Sequence, residues 1–489
     1  MIELAVVAVY LLALLAIGYW GYRKSGKTPE DYFVANRSLG KVVLFFTLAA
    51  TNFSAFFFFG FAGAAYTHGY SYYGIMAFGT AFIAVMFYVL GRRIWRLGKA
   101  YRLITPSELV GERFKSDGLR VLFLAVMVLF TIPYLATQPI GGGIALSKLT
   151  DGLIPFETGA VIITIAILFY VLLGGMRSDA WTDVLQGVIM IIAMLSAFGI
   201  VLSGLGGLEP ANQQLLEQRP ELFSRPGASN FFTPQIWFSF MILWSLANLM
   251  FPQLFVRFYA AKDENAIKWS ALLYPIITII LFTPPIILGV LGNQYVPGLL
   301  GKEADQILPK MVSLFSGPLL AAILMTGSFA ALMSTADSQL LAMSSMLTRD
   351  VYARFINRQA SQRKQLLVGR LLVAVLALVG LAVALTPQVS IFELLASTTF
   401  TGLAILFPTA FAALYWKKAT ANACILSIVS GELAYLAFYF GLIPKELAFG
   451  FLPAIPLVAF SSFVLIVASL LGKPDQRHAE NFLAPVENK

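Results

Sequence analysis

Residues 326 to 348 read TGSFAALMSTADSQLLAMSSMLT, an apolar run interrupted by Ser334, Thr335, Asp337 and Ser338. At helical spacing Ala331, Ser334, Thr335 and Ser338 fall at i, i+3, i+4 and i+7, on one face. Hydroxyls and a carboxylate cost free energy in hydrocarbon unless a partner satisfies them. Hydroxyl and carbonyl oxygens are hard ligands, and a small desolvated cation is their natural partner. The stretch therefore predicts a membrane helix that binds an ion. Other chemistries find little support. Cys424 is the only cysteine, so an internal disulfide and a thiolate cluster are excluded. The two histidines, His68 and His478, fall in or near predicted loops, which argues against a histidine metal centre, a proton relay or an integral membrane enzyme.

The elements that must position these residues are membrane helices. The chain has 489 residues, of which 58% are hydrophobic and only 12% charged, against about 25% charged in soluble domains. Apolar runs long enough to cross a bilayer recur throughout. Thirteen are expected, near 2–22, 42–66, 73–95, 119–148, 157–176, 181–203, 233–255, 268–292, 315–347, 366–385, 391–415, 421–442 and 449–471. The first lacks a preceding basic region and a following small-residue cleavage site, and reads as a retained helix. With the amino terminus outside, the cytoplasmic loops hold 28 of the 34 Lys and Arg residues and the opposite side 6. The positive-inside rule then places the carboxyl terminus in the cytoplasm and accounts for the net charge of +9 without nucleic acid. The loop 204–232 is expected outside, with a surface helix near Ala211 to Arg219, and the tail after Lys473 is expected to be disordered.

Several spans carry helix-breaking residues. The second holds Asn52, Phe53 and Ser54 before Phe56–Phe59, the fourth Pro133, Pro139 and Gly141 to Gly143, and the seventh Asn248 and Pro252. Broken backbone at membrane depth is tolerated where it lines a cavity or is buried in protein. Spans two and seven are five apart, the spacing of interrupted helices in inverted-repeat transporters. This divides the chain into a first peripheral helix and loop (1–41), a first five-helix repeat (42–203), an extracellular loop (204–232), a second repeat (233–415), two peripheral helices (416–471) and a tail (472–489).

Four motifs in order carry a resemblance. FAALMSTADSQLL (329–341), GGMRSDAWTDVLQGVIM (174–190), LAATNFSAFFFFGFAGAAY (48–66) and WSLANLMFPQLFVRFYAAKD (244–263) resemble segments of the sodium:solute symporter family, and EDYFVANRSLG (30–40) is similar to its first loop. The likeness runs from about residue 2 to 470. It implies an all-α polytopic protein of about thirteen helices with a five-plus-five, LeuT-type core and two broken helices. It also implies Na⁺-coupled symport by alternating access across a bacterial inner (plasma) membrane, with a small-molecule substrate and the lipid bilayer as partners and no obligate protein partner evident.

Carried over residue by residue, the family's sodium site falls on the carbonyls of Ala50, Phe53 and Ala331 and the hydroxyls of Ser334 and Thr335. Asp183, with Asp337 and Ser338, matches a second cation position found in some relatives; an acid paired with Arg177 is the alternative. Substrate residues are expected at Asn52, Ser54 and Phe56 on the first broken helix and at Trp244, Asn248 and Pro252 on the second. Gln138 on span four and Thr398 and Thr401 on span eleven complete the wall. Asn248 stands where the proline-permease pattern has tyrosine. The Phe56–Phe59 run leaves a sugar's hydroxyls unpaired, so a small organic anion of the monocarboxylate or pantothenate kind is expected. A proline-like amino acid or a sugar or sialic acid is the runner-up. A sensor built on a transporter fold is the competing class, disfavoured because the chain ends soon after its last helix.

Overall fold

Residues 2–24, 28–386 and 389–487 are described by a computed structural model. Their regular structure is helical; the one bridge outside helices joins Leu39 to Ala261. Helices of eight residues or more are numbered along the chain. These are α1 Ile2–Lys24, α2 Lys41–Asn52, α3 Phe56–His68, α4 Ser71–Tyr101, α5 Pro106–Phe114, α6 Asp117–Leu149, α7 Phe156–Phe169, α8 Gly174–Gly204 and α9 Leu208–Gln218. The second half has α10 Pro234–Met250, α11 Pro252–Ala260, α12 Glu264–Tyr295, α13 Ile307–Phe315, α14 Pro318–Ile356, α15 Gln362–Ala384, α16 Ile391–Tyr415, α17 Ala421–Tyr439, α18 Ala454–Leu471 and α19 Gln476–Glu487. Among the described residues nine helices are long and apolar enough to cross a membrane, or eleven if each bent pair is one span. Glu3–Tyr19 and Phe156–Phe169 are shorter apolar helices.

The two bent pairs are α2–α3 and α10–α11, and each turns through 57°. Their causes differ. At the second, Phe251 is extended (φ −68°, ψ 121°) and Pro252 opens α11. A proline pushes the residue before it out of helical conformation and is well suited to a first helical turn. At the first, no proline acts. Phe53 is extended (φ −88°, ψ 91°), and side chains satisfy the amides that the break releases. Ser54 Oγ accepts the Phe56 N–H at 3.2 Å, and Gln138 Oε1 accepts the Ala55 N–H at 3.1 Å.

Elsewhere the expected breaks are absent or smaller. Both Pro133 and Pro139 lie inside the continuous α6. The glycines beside them serve packing: a Cβ on Gly141 would approach Ala55 and Phe59 within 2.9 Å. The loop expected at 177–180 is helical; a single residue, Gly175 at φ 62°, interrupts the helix in the first turn of α8. The tail is a correction. Instead of being disordered, Gln476–Glu487 forms α19, whose Ala479, Phe482, Leu483 and Val486 are buried. Four apolar residues on one face of a short helix were enough to dock it.

Burial separates core from periphery. In α14, 78% of the most apolar stretch is buried inside the protein, against 28% in α15 and α18. The helix carrying the polar face is thus the one most enclosed.

Candidate ion and substrate site

Helix α14 packs against the end of α2, where the helix stops and its last carbonyls lose their usual amide partners. Ser334 Oγ lies 2.9 Å from Ala50 O and 3.0 Å from Ala331 O, and Thr335 Oγ1 donates to Thr51 O at 3.0 Å. All these residues are buried. Phe53 caps α2 at the break. Four of the five expected ion ligands, Ala50, Ala331, Ser334 and Thr335, therefore meet, with Phe53 beside them at the end of α2. The cluster is neutral and made of hard oxygens, so its chemistry fits an alkali cation and leaves the ion free to depart.

One turn below, Asp183, Asp337 and Ser338 also converge, with a member that sequence reasoning missed. Asp179 lies one turn from Asp183 on α8, and carboxylate oxygens of Asp179, Asp183 and Asp337 all fall within 4.8 Å of one another. Into this cluster α11 sends Arg257, which is 0% exposed. Its Nη2 donates to Asp179 Oδ2 at 2.7 Å and to Asp183 Oδ2 at 3.1 Å, and its Nε donates to Thr47 Oγ1 at 2.8 Å. Ser338 Oγ also accepts from Arg257, and Thr47 donates to Asp183. Asp337 Oδ1 accepts the Ser338 N–H at 2.6 Å. Arg177, the alternative partner for Asp183, pairs instead with Asp31 at 2.8 Å. One signal for Arg257 was in the sequence: an arginine inside the apolar VRFYA segment of a broken span needs a buried anion.

The substrate residues gather around both breaks, with different degrees of freedom. Asn52 donates to the Tyr274 hydroxyl, and Tyr134 and Ser54 are joined at 3.1 Å. Gln138 is saturated: besides holding Ala55, its Nε2 donates to Tyr134 O and Thr137 Oγ1, each at 3.0 Å. Its observed work is to fix the first break. Thr398 and Thr401 bond to carbonyls of their own helix, Leu394 O and Ala396 O. Pro252 begins α11. Phe56 lies 6.0 Å from Trp244 and 6.2 Å from Phe400, and Trp244 meets Phe400 edge-on at 3.9 Å. Phe400 is a wall residue that sequence reasoning passed over, because one more phenylalanine in an apolar helix carries no signal. Two buried polar atoms in this wall have no partner, Trp244 Nε1 and Asn248 Oδ1.

Comparison with known proteins agrees with this architecture. The model of the "Sodium:solute symporter family" matches residues 32–431. The sodium/pantothenate symporter of Escherichia coli (strain K12) is 29% identical over 471 residues, covering 95% of each chain. The sodium/proline symporter of the same strain is 28% identical, covering 95% of this chain and 92% of that one. Among solved structures, the outward-open, substrate-bound state of a Na⁺-coupled sialic acid symporter, described as revealing a novel Na⁺ site, has a TM-score of 0.79 at 20% identity and covers 97% of this chain and 98% of its own. Mhp1, a nucleobase-cation-symport-1 family transporter, has a TM-score of 0.61 at 14% identity, covering 92% of this chain and 98% of its own. Two helices broken by the same angle, an oxygen cluster at the first break and a match along most of the sequence have one common explanation: the chain belongs to the sodium:solute symporter family, multi-pass membrane transporters that couple solute entry to Na⁺ and are not enzymes.

Proposed function

We propose that this symporter carries a small monocarboxylate with an apolar body, driven by one Na⁺ held by Ala50, Phe53, Ala331, Ser334 and Thr335. The observation that carries the substrate reading is the wall between the broken helices: aromatic rings, with Trp244 Nε1 as an unpartnered donor and Asn248 Oδ1 as an unpartnered acceptor. One donor and one acceptor in an apolar wall suit a carboxylate bearing a hydroxyl or amide. They leave most hydroxyls of a sugar unpaired, at about 1–3 kcal/mol for each buried group. The relatives carry pantothenate and proline, and pantothenate is the one with this chemistry. The α2–α3 break couples ion to solute, because its carbonyls face α14 while Ser54 and Phe56 face the wall. With the amino terminus outside, Na⁺ enters from outside, holds α14 against α2 and leaves into the cytoplasm.

A second reading places another cation among Asp179, Asp183 and Asp337. Two buried oxygens there, Asp179 Oδ1 and Asp183 Oδ1, have no hydrogen-bond partner, and the sialic acid symporter is described with a novel Na⁺ site. Arg257 supplies one positive charge against the three carboxylates, so the single-ion reading has protons balance the other two.

The test is uptake of radiolabelled monocarboxylates, proline and sialic acid into proteoliposomes, with Na⁺ replaced by K⁺ as control. A monocarboxylate should be taken up only with Na⁺. Ser334→Ala with Thr335→Ala should raise the Na⁺ needed for half-maximal uptake at least about tenfold, one charge-assisted oxygen contact being worth about 1.5–3 kcal/mol. Uptake of sugar alone would reject the substrate, and an unchanged Na⁺ requirement would move the ion elsewhere.

A further inference from the structure

A cavity of about 350 Å³ lies away from the transport site, where α5, α17, α18 and α19 come together. Its lining is cationic. Arg113, only 2% exposed, forms part of the wall; its Nη2 donates to Trp416 O at 3.0 Å and its Nε has no partner. Lys115 and Lys473 stand at the rim, and Asp475 is the lone carboxylate. Lys115 pairs with Asp475 at 3.1 Å, which leaves Arg113 and Lys473 as uncompensated charges. The nineteen-residue α17 begins in the cavity behind its Thr420 cap. Its positive end adds to the same field.

The position specifies the source of the anion. Leu426 of α17 lines the cavity and is 52% exposed, while Leu470 and Leu471 are exposed at the end of α18. The cavity therefore sits where two peripheral, lipid-facing helices end and polar chain begins. Basic pockets between membrane helices at that depth take phosphate headgroups, whose acyl chains continue along the apolar helix faces. The charge distribution assigns this end to the cytoplasm, the side of the anionic leaflet.

We propose that this cavity holds the phosphodiester headgroup of an anionic phospholipid, which fastens α19 to the ends of α17 and α18. Helix α19 is already placed for this. His478 lies in the cavity lining and donates Nε2–H to Glu112 O at 2.9 Å, and Phe482 stacks on Tyr101 at 4.6 Å. The headgroup adds to the direct bonds that already hold α19, Lys115 to Asp475 at its start and Lys417 to Glu487 at 2.9 Å near its end.

The experiment is thermal melting of the full-length protein in detergent, titrated with phosphatidylglycerol, phosphatidylcholine or inorganic phosphate. Phosphatidylglycerol should raise the melting temperature saturably, and the other two should not. Lys115→Gln with Lys473→Gln should shift half-saturation upward by about fivefold for each lysine. Lys115→Arg with Lys473→Arg should keep it, and Lys364→Gln, outside the cavity, should leave it unchanged. Both cavity lysines are solvent-exposed, so the substitutions do not disturb the core. An equal rise with inorganic phosphate or phosphatidylcholine, or an unchanged half-saturation in the double variant, overturns the proposal. The readout is independent of transport and stands apart from the choice of solute.

Discussion

Arg257 is the residue whose environment constrains the protein most. It is fully buried and donates to Thr47, Asp179, Asp183 and Ser338, side chains of α2, α8 and α14. Removing one member of a buried ion cluster leaves the others uncompensated, at about 3–5 kcal/mol, whereas removing both sides costs far less. Arg257→Met should therefore lower the melting temperature strongly. Arg257→Met with Asp179→Asn and Asp183→Asn should recover most of that loss. A double-mutant cycle by melting in detergent measures the coupling; additive losses would show that the guanidinium and the acids do not depend on each other. Ser334 and Thr335 differ in kind, since each is hydroxyl bonded to carbonyl and their loss should alter the ion requirement more than stability.

At the scale of elements, one end of the site is held by a contact between the 301–306 turn and α16. Asp305, 2% exposed, accepts the Ile391 N–H at 2.8 Å. It also lies against α3: a Cβ on Gly63 would come within 2.6 Å of its Oδ1. Burial pushes its carboxyl up to about 7. The folded protein thus holds this proton more tightly than the unfolded chain, whose carboxyl titrates near 4. Stability from this group is complete below about pH 4 and is lost as pH rises through about 7. Melting between pH 4 and 7 should fall with pH more steeply in the wild type than in Asp305→Asn, which keeps an acceptor for Ile391 but cannot ionise. Equal slopes would place the titration elsewhere. Asp305 was invisible in the sequence, one acid in a polar loop. Pro252, Ser334 and Thr335 were legible because local chemistry fixes a proline break and a polar stripe. The first break was legible in position only; Ser54 satisfies the Phe56 amide locally, but the Ala55 amide is satisfied by Gln138 from α6, a contact 83 residues away that no local pattern carries. The prolines of α6 misled for the converse reason: neighbouring helices can keep a proline-containing helix continuous in a membrane. In the tail, four apolar residues among many charges gave too weak a signal to set against disorder.

At the scale of the molecule the open quantity is charge moved per cycle. One Na⁺ with a monovalent carboxylate carries none, so the membrane potential adds nothing to its accumulation. With a zwitterion the same cycle moves one charge, worth about 2.3 kcal/mol per 100 mV. A second Na⁺ bound by Asp179, Asp183 and Asp337 would give the carboxylate one net charge and its uptake an inward current. The outcomes differ in what balances the three acids beside Arg257, whose single charge is anchored to Thr47 and Gln253 O as well as to the acids; the one-ion reading proposed above has protons balance the rest. On that reading, proteoliposomes on a solid-supported membrane should show Na⁺-dependent monocarboxylate uptake without a transport current, and uptake should not change when a potassium diffusion potential is imposed. A current that disappears in Asp183→Asn would instead assign a second coupling ion to the acidic cluster and reduce Arg257 to holding it in place.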